Sequence, residues 1–128
     1  MLLFMVAIFG SIGTVSRYSI NYFFHQWFDL NYPYATMTIN ILGSFLVGLI
    51  YTMGTTFGVL SDEWRIALSV GLIGGFTTFS GLAIDALLMI ENGKVLLCAL
   101  YVGSSVFFGI LSCQIGVWLC KQILLVKS

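Results

Sequence analysis

The chain has 128 residues, of which 59% are hydrophobic and only 8% charged, with a formal net charge of zero and a mean hydropathy of +1.04. An ordinary soluble domain carries roughly 25% charged residues, so this composition describes an integral membrane protein. The few Lys and Arg residues form no clustered basic face, which excludes nucleic acid as a partner.

Crossing a bilayer takes about 20 apolar residues, and four segments qualify, at about 2–24, 34–57, 64–90 and 95–124. The expected fold class is all-α: four transmembrane helices in a single integral membrane domain, 1–128, sitting in the lipid bilayer as a multi-pass protein. The polar stretches HQWFDLNYP, GVLSDE and ENGK between the segments are too short to be domains, and four crossings put both termini on one side. Arg65, Lys121 and Lys127 fall on that side, against Lys94 and, nearer the opposite side, Arg17. The bias towards termini inside is slight, and such near-balance permits insertion in both orientations.

The first segment, MLLFMVAIFGSIGTVSRYSINYFF, has no basic leader region and no clear cleavage site, and reads as a retained helix rather than a signal peptide. Gly10, Gly13, Arg17 and Asn21 recur along it at helical spacing. Small residues on one stripe let helix backbones approach closely. Arg17 needs more than that, because a charge at depth requires a partner or water. His25 and Trp27 suit the headgroup level, as do Trp64 and Trp118.

The second segment carries Thr36, Asn40, Gly43, Ser44 and Gly48 on a similar stripe, with the Asn40 amide as its costly member. The third segment is the unusual one. Within GLIGGFTTFSGLAIDALL, residues 71–88, two glycines, two threonines and a serine interrupt an otherwise apolar crossing. Gly74 and Gly75 favour a turn there, and Thr77, Thr78 and Ser80 can cap the backbone that follows, so the third helix is expected to break near its middle. Irregular backbone at membrane depth persists only where it is buried in protein or lines a wet cavity. Carbonyls at the end of the first half suit a small hard cation such as sodium, whereas amide N–H groups at the start of the second half suit an anion. The positive ring edges of Phe76 or Phe79 can add to the anion side without a titrating charge. A glycine kink that only improves packing is the plainer alternative.

Asp85 is the only acid well inside a predicted span, which makes it a candidate proton relay unless it faces water or a basic neighbour near the surface. In the fourth segment Ser105, Gly109, Ser112 and Gly116 form another small-residue stripe. Cys98, Cys113 and Cys120 have neither the number nor the spacing of a disulfide framework or zinc site and read as packing residues, as do Met37, Met53 and Met89. Four helices barely enclose a path for an ion, so a second copy is expected to complete it.

The run GGFTTFSGL after EWRIALSVGLI, with YATMTINILGSFLVG upstream and GSIGTVSRY near the start, closely resembles the Fluc (CrcB) fluoride channels over nearly the whole chain. The resemblance implies an antiparallel, dual-topology dimer with two fluoride pores, each built from both chains, and a central sodium ion of structural role. It also implies a passive channel in the cell membrane that lowers cytoplasmic fluoride by export. Carried over by position, Asn40 is the pore-facing amide, Phe79 the first of two ring-edge phenylalanines and Ser80 the hydroxyl at the break. Thr78 adds a hydroxyl donor. Tyr101 and Ser105 are polar positions along the fourth helix, Arg17 stands near the aqueous vestibule, and the carbonyls of Gly74 and Thr77 hold the sodium. Where most members read TTFSTF, this chain has Gly81 and Leu82, which lack the second threonine hydroxyl and the second phenyl ring. The dimer is therefore either a homodimer with one anion contact weakened or a heterodimer with a second family subunit.

Two other functions compete. A small proton-coupled multidrug-type exporter needs a membrane-embedded carboxylate, for which Asp85 is the only candidate, and a scaffold subunit explains the small-residue stripes but not Asn40. An enzyme is excluded by the lack of a nucleophile elbow, phosphate loop or His/Cys cluster.

Overall fold

A computed structural model describes residues 1–27 and 33–125. Its elements are α1 (Leu2–Trp27), α2 (Tyr34–Tyr51), α3 (Asp62–Ile66), α4 (Gly74–Phe76), α5 (Phe79–Glu91) and α6 (Val95–Leu125), and all secondary structure among the described residues is helical. Grouped by continuity they make four crossings, Leu2–Trp27, Tyr34–Thr56, Asp62–Glu91 and Val95–Leu125, each long and apolar enough to span a bilayer. α1 runs three residues beyond the expected end near residue 24, which brings His25 into the helix.

Two stretches depart from α geometry. α2 passes into π-helical turns at Thr52–Thr56, where the Phe57 N–H donates to the Thr52 carbonyl at 3.3 Å, and a second π-helical stretch, Ala67–Ile73, joins α3 to α4. Such wide turns change which side chains face a given neighbour. α3 starts under a Ser61 cap that accepts the Trp64 N–H at 3.5 Å. After Phe76 the chain leaves helical geometry at Thr77 (φ −79, ψ 160) and Thr78 (φ −150, ψ 112), and α5 begins at Phe79. The departure falls three residues later than the glycines suggest, because Gly74 and Gly75 are still helical. The use of Gly75 is close approach: a Cβ there would lie 2.5 Å from the Gly10 carbonyl oxygen of α1.

The same device joins α2 to α6, the most extensive helix pair. A side chain on Gly48 would strike the Cys113 carbonyl, and one on Gly116 the Phe45 carbonyl. Ser112 Oγ donates across this seam to the Ile41 carbonyl at 2.7 Å. α1 packs mainly on Ala67–Ile73 and α4, with the Phe9 and Trp64 rings edge to face at 5.8 Å. α5 ends at Glu91, and two residues on Gly93 has a φ of 72 that suits glycine, with Gly93 N–H bonded to the Ile90 carbonyl and Lys94 N–H to that of Met89. This turns the chain directly into α6, and Leu82 and Met89 of α5 form a buried cluster with Cys98 and Tyr101 of α6.

Candidate functional site

Thr78 lacks helical partners for its backbone, and Asn40 replaces them. Asn40 Oδ1 accepts the Thr78 N–H at 2.8 Å, and Asn40 Nδ2 donates to the Thr78 carbonyl at 3.0 Å. One amide on α2 thus satisfies both polar groups of a residue that would otherwise be unpaired at depth. The Thr78 side chain caps α5, its Oγ1 accepting the Gly81 N–H at 2.9 Å, and stands 3.2 Å from Ser80 Oγ. Gly81 suits this cap, since a Cβ there would come within 2.8 Å of Thr78 Cγ2.

On the other side of the interruption, Thr77 N–H and Oγ1 both donate to the Ile73 carbonyl at 2.9 Å. In a continuous helix the Gly74 carbonyl would accept the Thr78 N–H and the Gly75 carbonyl the Phe79 N–H. Instead Thr78 bonds Asn40, which releases the Gly74 oxygen, and Arg17 Nε donates to the Gly75 oxygen at 3.1 Å. Arg17 therefore ties α1 to the end of α4, meeting the need for a partner that a charge at this depth carries.

Beside these groups lies a groove of about 410 Å³ lined by Asn40, Gly43 and Ser44 from α2, Ser69, Ile73, Gly74 and Thr77 before the interruption, Thr78, Phe79 and Leu82 after it, and Ser105 from α6. No charged side chain lines it. Its interior is hydroxyl, amide, carbonyl and hydrocarbon, which receives an ion through dipoles and not through a fixed counter-charge. Ser105 Oγ is buried and has no hydrogen-bond partner among the described residues.

The family model described as CrcB-like protein, Camphor Resistance (CrcB), matches residues 4–117. The chain belongs to the CrcB family. Relatives named fluoride-specific ion channel FluC include that of Shewanella oneidensis, 39% identical over 121 residues, and that of Leptospira interrogans, 36% identical over 120 residues, each match covering 94% of both chains. The relative of the same name from Thermus thermophilus is 38% identical over 112 residues, 88% of this chain and 87% of its own. Those names are of an ion channel, not of an enzyme, and with its four spans this CrcB chain is a multi-pass membrane protein.

Of the residues singled out in the CrcB sequence, Asn40, Thr78, Phe79, Ser105, Gly74 and Thr77 line the one groove. Ser80 and Arg17 adjoin it through Thr78 Oγ1 and the Gly75 carbonyl. Phe79 is 82% exposed on the single chain, whereas Leu82 is buried. Tyr101 does not line the groove; it is fully buried, and its hydroxyl donates to Asp85 Oδ2 at 3.1 Å. Asp85 faces a second cavity of about 290 Å³, with Asn21, His25, Thr36, Asn92 and Lys94 in its wall. The Tyr101–Asp85 and Arg17–Gly75 contacts join residues 16 and 58 positions apart, and nothing in a single sequence signals them.

Proposed function

We propose that this chain is a subunit of a passive, fluoride-selective channel that lets fluoride out of the cell and lowers its cytoplasmic concentration. The observation that carries the reading is the uncharged, donor-lined groove with an unpartnered Ser105 hydroxyl, in a chain 36–39% identical to proteins named fluoride-specific ion channels. Fluoride is small and strongly hydrated, so a pore must replace its water with dense donors such as the Ser105, Ser80 and Thr78 hydroxyls and the Asn40 amide.

The finer reading has two chains arranged antiparallel, the third crossing broken at Thr77 and Thr78, and a pore on each side completed by the second copy. Support comes from Phe79, whose ring is left outside the packed interior of one chain and is free to turn an edge towards an ion held between two. The released Gly74 carbonyl and the Thr77 carbonyl beside it fit a sodium ion: a single chain offers two such oxygens and a two-fold pair four, a donor set suited to a hard cation. Bound there, sodium would hold the interrupted helices of the two copies together. Arg17, bonded to the adjacent Gly75 carbonyl, steadies the same turn.

The test is fluoride efflux from liposomes holding only this purified chain, with chloride followed in parallel. Fluoride loss without chloride loss is the expected result and establishes that one chain suffices despite Leu82. Silence of both ions transfers the activity to a heterodimer, checked by co-expression with a second family subunit. Efflux abolished by collapsing a proton gradient would instead identify a proton-coupled exporter.

A further inference from the structure

A hydroxyl can serve an ion only with a proton that the protein has not already engaged, and the groove wall divides on that point. Of its Ser and Thr side chains, Ser69 Oγ donates to the Arg65 carbonyl at 2.6 Å and Thr77 Oγ1 to that of Ile73 at 2.9 Å. Thr78 Oγ1 accepts the Gly81 N–H and lies 3.2 Å from Ser80 Oγ. Ser44 and Ser105 are left, with no hydrogen-bond partner for either hydroxyl among the described residues. Ser44 has the Asn40 carbonyl four residues behind it on α2, the kind of acceptor that Ser69 and Thr77 use, and does not bond it.

The α2–α6 seam fixes where Ser44 stands. The two helices belong to the second and fourth crossings and run parallel. Their backbones meet at Gly48, where an added Cβ would strike the Cys113 carbonyl. One turn back, a Cβ on Gly109 would meet Ser44 Oγ at 3.5 Å and no other atom of a neighbouring element within 4 Å. Carried back one turn more, the same register sets Asn40 at the level of Ser105, and both line the groove. The seam thus closes at Gly48 and opens towards Asn40. Between the two lies a niche with the Ser44 hydroxyl on one side and no side chain on the other.

Resting on the channel reading, we propose that Ser44 is an anion-binding residue whose hydroxyl, with the open side of Gly109, forms a second station about 6 Å along α2 from the Asn40 and Ser105 level. A fluoride ion held by one cluster of donors would have to give up all of them at once to leave. A second donor one turn away lets it exchange one hydrogen bond for the next, and passage over several weak sites is what reconciles entry with release. No charged side chain lines the groove, so no fixed charge masks the loss of a single hydroxyl. The missing side chain at Gly109 keeps the space beside Ser44 Oγ clear for a small ion.

The experiment measures fluoride efflux from liposomes for the parent, for Ser44→Ala, and for Ser44→Ala combined with Gly109→Ser or with Gly109→Ala. Ser44→Ala removes one donor to a charged ligand and should slow efflux about tenfold. It takes no hydrogen bond from the protein itself, so thermal unfolding in fluoride-free detergent should stay parent-like. Gly109→Ser on that background returns a hydroxyl from the opposite side of the niche and should bring efflux to within about threefold of the parent. Gly109→Ala adds the carbon without the hydroxyl and should recover nothing. Parent-like efflux in Ser44→Ala, a loss that Gly109→Ser leaves as it is, or equal recovery by Gly109→Ala overturns the proposal. Should the double variants elute as aggregate, the effect of fluoride on unfolding decides instead. Added fluoride should raise the unfolding temperature of the parent more than that of Ser44→Ala, and equal shifts overturn the proposal. A parent without fluoride efflux overturns the channel reading itself, which separates that failure from this one.

Discussion

The α2–α6 seam and the Thr77–Thr78 interruption both bring backbone close to backbone inside the membrane, by opposite means. At the seam the amides and carbonyls are already paired within their helices, so contact needs only the absence of side chains at Gly48 and Gly116. At the interruption the backbone is unpaired, and contact needs the added Asn40 amide. The seam is therefore intolerant of volume, and the interruption is intolerant of lost polarity. Breaking the seam should have the largest effect on the fold. Gly48→Val would drive a branched Cβ into the Cys113 carbonyl, and because backbone cannot step aside as a side chain can, the cost should exceed about 3 kcal/mol. Size-exclusion chromatography of detergent-extracted protein should recover little folded chain, and a parent-like profile would show that α2 and α6 can separate.

Breaking the interruption should cost less stability and more function. Asn40→Ala leaves the Thr78 N–H and carbonyl without their partner, which amounts to about 1–3 kcal/mol. Thermal unfolding in detergent should register that loss while the chain still folds. Fluoride efflux should fall by more than the folded fraction does, because the same amide is one of the groove's few donors. Equal losses in both measurements would reduce Asn40 to a structural clamp.

The four crossings were legible because hydropathy reports them directly: 18-residue windows at 1.4 to 2.1 mean hydropathy leave little ambiguity. Polar residues in an apolar span point to irregular backbone near Gly74 and Gly75, whereas the extended dihedrals fall at Thr77 and Thr78. Gly74 and Gly75 looked like the turn because glycine permits one, yet both are helical, and the backbone of α1 at Gly10 occupies the space a side chain on Gly75 would have filled. Whether glycine marks a turn or a close contact depends on a neighbour distant in sequence. The π-helical stretches have the same origin, with no local composition to announce them, as does the Tyr101–Asp85 bond. Asn40 stood out in the sequence because a polar group at depth is costly enough to be informative on its own.

Phe79 tests the groove without touching either kind of contact. At 82% exposure its ring buries little in the single chain, so Phe79→Ile should leave monomer unfolding within about 0.5 kcal/mol of the parent. Fluoride efflux should nevertheless drop sharply, since an aliphatic side chain has no positive edge to turn towards the ion. Unchanged flux would remove this ring from the path and leave the hydroxyls and the Asn40 amide to carry it.

The smallest effect belongs to the helix end at Asp62–Arg65, whose residues do not line the groove. Arg65 Nη2 and Asp62 Oδ1 form an ion pair at 2.9 Å, but Asp62 has 85% of its side chain exposed, and solvent screens such a pair. Asp62→Asn should therefore shift unfolding by less than about 0.5 kcal/mol. Arg65→Ala should cost more than Asp62→Asn, although both remove the same pair. The methylene stem of Arg65 lies over Gly54 at the end of the second crossing, where Cδ would stand 2.5 Å from an added Cβ, and that packing is lost only when the stem is shortened. The two variants thus separate charge from stem at one surface position. Equal shifts would mean that the contact over Gly54 contributes nothing and that the close approach there is incidental, unlike the one at Gly48.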